Sequence, residues 1–178
     1  MRSGVPEILL GVLIVGLASA SSAQPLPAAD PAAGAVKAAT CGGCHGPDGN
    51  SPNPVWPKLA GQQAPYLEKQ LRDFQAARRS NPMMSAMAAP LSPQDIVDVA
   101  SYFSSLPLRV ATPAAPDGEA ERLYREGRPE RRVVPCASCH GLQGEGFSIG
   151  MDGGFPAIGG QNAAYLHADR EEIGRAHV

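Results

Sequence analysis

The sequence predicts an all-α fold built as two tandem units, the second incomplete. Three observations carry that expectation. No segment alternates apolar and polar residues with the period of two that a half-buried strand requires, whereas several stretches place apolar residues at helical spacing behind capping signals. A pattern of cysteine, glycine, proline and tyrosine positions also recurs once along the chain, as a duplicated unit would. With 43% apolar residues and a net charge of −2, the 178-residue chain is neither a disordered segment nor basic enough to point to nucleic acid. It holds nine aromatic residues against 20 Gly and 18 Pro, so something other than aromatic side chains must fill its interior.

The N-terminus reads as an export signal over residues 1–23. Arg2 precedes the apolar run Ile8 to Leu17, and Ala18-Ser19-Ala20 and Ser21-Ser22-Ala23 offer small-residue cleavage sites. The run is about half the ~20 residues that a membrane span needs.

The first unit, residues 24–107, reads as helices in order. Asp30 caps a helix opened by Pro31 that runs toward the first cysteine motif. Gly34 within it weakens the helix, and its use is close approach by another helix. A second helix starts near Ala64-Pro65 and sets Leu67, Leu71 and Phe74 on one face. A loop carrying Met83, Met84 and Met87 follows. The last helix has Ser92 as cap, Pro93 in its first turn and Asp95 completing a capping-box-like pair; Ile96, Val99, Ala100, Phe103 and Leu106 face inward until Pro107 stops it. Residues 108–117, rich in Pro and small residues, form a linker to the second unit, residues 118–178.

The chemistry sits in two copies of one motif, Cys41-Gly42-Gly43-Cys44-His45-Gly46 and Cys136-Ala137-Ser138-Cys139-His140-Gly141. C-x-x-C-H is the pattern of covalent c-type haem attachment. Thiols three residues apart share a face of a helical turn, from which they add to the two vinyl groups of one porphyrin while the adjoining imidazole reaches the iron. Local disulfides, a shared zinc site made of all four cysteines and a thiol-disulfide redox motif are the rival readings. Zinc leaves the His after each pair unexplained, and no βαβ pattern accompanies the motif as a redox C-x-x-C would have. A unit of about 85 residues with so few aromatics buries little apolar area by itself, and a haem supplies the missing core.

The repeat extends beyond the motif. Gly49, Pro57, Gly61-Gln62, Ala64 and Tyr66-Leu67 are answered by Gly144, Pro156, Gly160-Gln161, Ala163 and Tyr165-Leu166, with the loop before the proline four residues longer in the second copy. From Gln24 to about Leu166 these features resemble the class I cytochrome c fold and, within it, the two-haem cytochrome c4 family. The resemblance rests on the two C-x-x-C-H-G motifs, the G-x-x-x-P-x-L-x-G-Q-like loops, the Y-L helices, the M-M-x-x-M segment and the final amphipathic helix.

It implies two covalently bound haem c groups, attached through Cys41 and Cys44 and through Cys136 and Cys139, with His45 and His140 on the irons. The family's sixth ligand is a Met thioether eight residues before the capping Ser, which selects Met84, with Met83 next; Met87 is expected to fill the core. Alignment with the family's haem-loop proline implies that the Pro57 carbonyl accepts a hydrogen bond from His45 Nδ1, and the Pro156 carbonyl one from His140. Trp56, Leu59 and Tyr66 are expected along the haem edge. The implied role is periplasmic carriage of single electrons without bond-making chemistry, between redox partners such as a terminal oxidase or quinol-oxidising complex and in association with membrane complexes. The alternative role is the cytochrome subunit of a periplasmic dehydrogenase.

The second unit departs from the pattern. At an offset of 99, Arg170 falls where Leu71 turns inward, and Val178 comes before the position matching Met84. A truncated domain is therefore expected, with no sixth ligand for the second haem; Met151, His167 and His177 are weak substitutes. The terminal residues 172–178 back-translate to a common sequencing-adapter read and are expected to be non-native.

Overall fold

The computed structural model describes residues 28–110, 118–149 and 152–176. The expected export signal, linker residues 111–117, Met151 and His177 lie outside the described residues. Eight α-helices are seen among the described residues: α1 Pro31–Lys37, α2 Gly42–His45, α3 Ala64–Gln75, α4 Pro82–Ala88, α5 Pro93–Ser105, α6 Gly118–Glu126, α7 Ala137–His140 and α8 Ala163–Ala176. The described residues contain no strand, only the isolated bridges Arg128–Val133 and Phe147–Phe155, so the chain is all-α. The four extra residues of the second copy fall in the loop that the Phe147–Phe155 bridge pins in both directions, at 2.9 and 2.7 Å.

In the first unit the capping signals act where the sequence places them. Asp30 accepts hydrogen bonds from the backbone of Ala32 and Ala33, 2.9 and 3.2 Å, satisfying two donors that a helix start leaves unpaired. Ser92 and Asp95 form a reciprocal capping box at the start of α5. α1 packs along α5, and α5 against α3. The crossing of α1 and α5 is closest at Gly34, where a Cβ would overlap the backbone carbonyl of Asp98.

The core at this junction is small: Ala38, Leu67, Val99, Ala100 and Phe103, with Leu59, Leu71 and Leu106 partly buried beside it. Asp98, on the same helix, is buried and accepts from the Asp30 backbone N–H and from Gln94 Nε2, both at 2.8 Å, which fastens the start of α1 to α5.

One expected loop is a helix. Asn81 caps α4 by accepting from the Met84 backbone N–H at 3.1 Å, and Pro82 opens the helix, so Met83, Met84 and Met87 project from α4. Gln75 of α3 closes the far end, donating to the carbonyls of Ala88 and Leu91 at 2.9 and 2.8 Å.

The second unit repeats the motif helix and the Y-L helix, with α6 packed on α7. The Tyr124 hydroxyl of α6 donates to the Gly141 carbonyl at 2.6 Å. The two units meet through their G-Q loops. Gln161 pairs with both backbone groups of Lys58, and Gln62 pairs with both backbone groups of Ala157. Position 157 is the 99-residue equivalent of position 58, as 161 is of 62, so the contact is a pseudo-twofold exchange. Arg79 reaches across to Asp169 and to the Tyr165 hydroxyl.

Candidate functional site

The short helix α2 gathers Cys41, Cys44 and His45, with the His45 backbone N–H bonded to the Cys41 carbonyl at 3.0 Å. The turn ends at Gly46, whose φ of +84° is a left-handed conformation that glycine adopts without strain. Gly141, after the second motif, has the same φ of +84°. This gives the terminal Gly of both motifs a physical reason: the chain must reverse sharply to bring the proline loop onto the histidine.

That loop arrives in both copies. His45 Nδ1 lies 2.8 Å from the Pro57 carbonyl oxygen, and His140 Nδ1 lies 2.8 Å from the Pro156 carbonyl oxygen. A carbonyl only accepts, so Nδ1 carries the proton in each ring and Nε2 keeps its lone pair. His45 is 6% exposed. Burial holds its pKa below the usual imidazole value, with the Pro57 contact working weakly the other way, so the ring stays neutral. A neutral imidazole with one protonated and one free nitrogen is the form that ligates a metal.

Cys41, Cys44 and His45 open into a cavity of about 520 Å³, also lined by Met83, Met84 and Met87 of α4. Val99, Ala100 and Phe103 of α5 give it an apolar wall, and Trp56, Leu59 and Tyr66 line it as expected. Met84 is half-buried, Met83 is 57% exposed, and Met87 is 40% exposed and so does not fill the core. The second unit contributes Pro156, Ile158 and Tyr165 to the same cavity.

The donor set matches the group that the motif implies. Two free thiols, a neutral imidazole and thioethers surround one large apolar cavity, and soft sulfur with imidazole nitrogen suits haem iron and its thioether links. Among the described residues no cluster of three or more His, Cys, Asp or Glu is placed to hold a bare metal ion.

The second motif has the same local geometry in a more open setting. Cys136 is exposed, while Cys139 and His140 are half-buried. The Phe155 ring stands edge-on to His140 with centroids 6.4 Å apart. His167 is exposed on α8.

Sequence reasoning missed the polar cluster where the cavity meets the unit boundary. Arg79 donates to Gln70 Oε1 at 2.6 Å, to the Tyr165 hydroxyl at 3.3 Å and to Asp169, and its guanidinium lies 5.0 Å from the centre of the Phe74 ring. Burial is the main cause that pushes the Tyr66 and Tyr165 hydroxyls above the ordinary phenol range. No local pattern marks this cluster, because Arg79 and Asp169 are 90 residues apart.

Residues 30–107 match the family model described as Cytochrome c. The chain is 46% identical over 150 residues to cytochrome c4 of Thiocapsa roseopersicina, covering 81% of this chain and 74% of that one. It is 40% identical over 143 residues to a thiosulfate dehydrogenase electron acceptor of Thiomonas intermedia, covering 77% of this chain and 64% of that protein. The crystal structure of reduced recombinant cytochrome c4 from Pseudomonas stutzeri superposes with a TM-score of 0.77 at 40% identity, covering 84% of this chain and 83% of that one.

Proposed function

The chain belongs to the cytochrome c4 family, and from that premise we propose that it is a periplasmic two-haem carrier of single electrons. Residues 24–107 form the first haem domain and residues 118–178 the second, joined by the linker 108–117. When bound, each haem c supplies a one-electron iron couple. Everything else falls to the chain's own groups.

Cys41 and Cys44 anchor the first haem and Cys136 and Cys139 the second, fixing each group by two covalent links. His45 and His140 offer Nε2 to the irons. The Pro57 and Pro156 carbonyls hold the opposite ring nitrogens protonated, which fixes the ring orientation and strengthens the ligand. Met84 is the thioether that completes the first iron's coordination, favouring the reduced state. Val99, Ala100 and Phe103 give the cavity a buried apolar wall, whose low dielectric would disfavour added charge on a bound iron.

The observation that carries this reading is the placement of Cys41, Cys44, a buried neutral His45 and Met84 around one apolar cavity. Spectroelectrochemical titration of the mature protein tests it. Two reversible one-electron steps per chain are expected, and a chain that takes up no electrons reversibly contradicts it.

The electron partners that suit such a carrier are a terminal oxidase or a quinol-oxidising complex. The likeness to a thiosulfate dehydrogenase electron acceptor favours a second reading, in which the chain is the cytochrome arm of a periplasmic dehydrogenase. Stable co-purification with a dehydrogenase under native expression would select that role, and isolation as a free monomer would select the mobile carrier.

A further inference from the structure

The peptide group between Pro57 and Lys58 is engaged at both ends. Its carbonyl oxygen faces His45 Nδ1 at 2.8 Å, and its N–H donates to Gln161 Oε1, in the other unit, at 2.8 Å. The Pro156–Ala157 peptide repeats the arrangement: its oxygen faces His140 Nδ1 at 2.8 Å, and its N–H donates to Gln62 Oε1 at 2.8 Å.

Each glutamine is fixed in orientation. Gln161 Nε2 donates to the Lys58 carbonyl at 2.9 Å while its Oε1 also accepts from the Asn162 backbone N–H at 2.8 Å. Gln62 Nε2 donates to the Ala157 carbonyl at 2.9 Å while its Oε1 accepts from the Gln63 backbone N–H at 2.9 Å. Gln62 is buried, so bulk water does not replace these contacts.

An amide is conjugated, so a hydrogen bond donated from its N–H moves electron density toward its oxygen and strengthens the bond that the oxygen accepts. Linked hydrogen bonds polarise one another by roughly 10–30% per bond. A stronger pull on the Nδ1 proton makes the imidazole a better donor through Nε2, which stabilises the oxidised iron.

We infer that Gln161 tunes His45, and Gln62 tunes His140, through the intervening peptide groups, so that each domain sets part of the redox balance of the other domain's haem. The two glutamines are positioning residues that act through a backbone peptide. This inference rests on His45 and His140 being iron ligands, as proposed above.

Gln62→Leu is the most discriminating variant, because Gln62 lines the cavity of the first haem while the peptide it serves belongs to His140. The full-length holoprotein is used, and each variant is first shown to hold two covalent haems, so that an unmoved potential counts against the relay and not against haem binding. In Gln62→Leu the one-electron equilibrium of the second haem shifts toward the reduced state by roughly two- to tenfold, tenfold being 59 mV. Its His140 Nδ1–H proton resonance in the reduced protein moves upfield, and the first haem moves less. Gln161→Leu gives the mirror image, with the first haem and His45 affected. Gln161→Glu, which keeps an oxygen acceptor for the Lys58 N–H, leaves the first haem at or below its wild-type potential. Potentials that move only in the domain carrying the substitution, or that move in neither, overturn the inference.

Discussion

Gly34 of α1 lies against the backbone carbonyl of Asp98 on α5, with no room for a Cβ between them. The atom in the way is backbone, so relief requires the two helices to separate. Alanine at position 34 is therefore expected to destabilise the first domain by about 1–3 kcal/mol through overpacking, outweighing the gain of roughly 1 kcal/mol in helix propensity. Gly43→Ala is the control, since a Cβ there meets nothing within 4 Å. Thermal unfolding of the two variants checks the difference, and equal midpoints would refute the close-crossing argument.

The α5 capping box gives a stability prediction and a pH prediction. Ser92→Ala removes the side-chain acceptor for the Asp95 backbone N–H, and should cost about 0.5–2 kcal/mol in denaturant unfolding. Hydrogen bonds from the Ser92 backbone and hydroxyl, and then the Lys37 partner, hold the Asp95 carboxyl below its ordinary value of 3.8. A depressed carboxyl contributes stability that is present above the unfolded value and lost as pH falls through the folded one. The stability difference between wild type and Asp95→Asn should thus be constant well above pH 3.8 and shrink below it. A difference that widens on acidification would contradict this.

Met84 and Met83 are adjacent on α4 but differ in exposure, Met83 being 57% exposed and Met84 half-buried. Met84→Leu is expected to lower the potential of the first haem while leaving two covalent haems per chain, because a thioether on iron raises the potential. Met83→Leu should change it far less. Redox titration of the pair decides the ligand, and a larger effect at Met83 would reassign it.

Arg79 makes an ionic tie between the units, its side chain 19% exposed and that of Asp169 14% exposed. Removing one partner of a buried pair leaves the other uncompensated, so Arg79→Ala should weaken the docking of α8 by an amount toward the lower end of roughly 3–5 kcal/mol. Hydrogen exchange of α8 amides would reveal it. Unchanged exchange would show that the hydrogen bonds made by Gln62, Gln161, Asn162 and the Tyr165 backbone hold the interface without it.

Local features were the legible ones. Asp30, Ser92 with Asp95, and Gly34 announced caps and a crossing because each acts on residues within a few positions or through its own lack of a side chain. The C-x-x-C-H motifs were readable because the repeat doubled them, whereas the histidine–proline contacts were expected only through the resemblance to the family's haem-loop proline. α4 was read as a loop because a helix of seven residues carries little periodicity, although Asn81-Pro82 is a start signal. The burial of Asp98 and the Arg79 cluster depend on partners distant in sequence, which no window along the chain brings together. Gln62 and Gln161 were visible as a repeated pair, but their partners lie in the opposite unit.

The central claim is that this chain carries two haems through its two cysteine pairs. The most direct measurement is the pyridine haemochrome spectrum and intact mass of protein matured with the haem-attachment machinery. Two covalent haems per chain are expected, falling to one when Cys41 and Cys44 are both replaced by Ala. A chain that matures with no covalent haem would contradict the account.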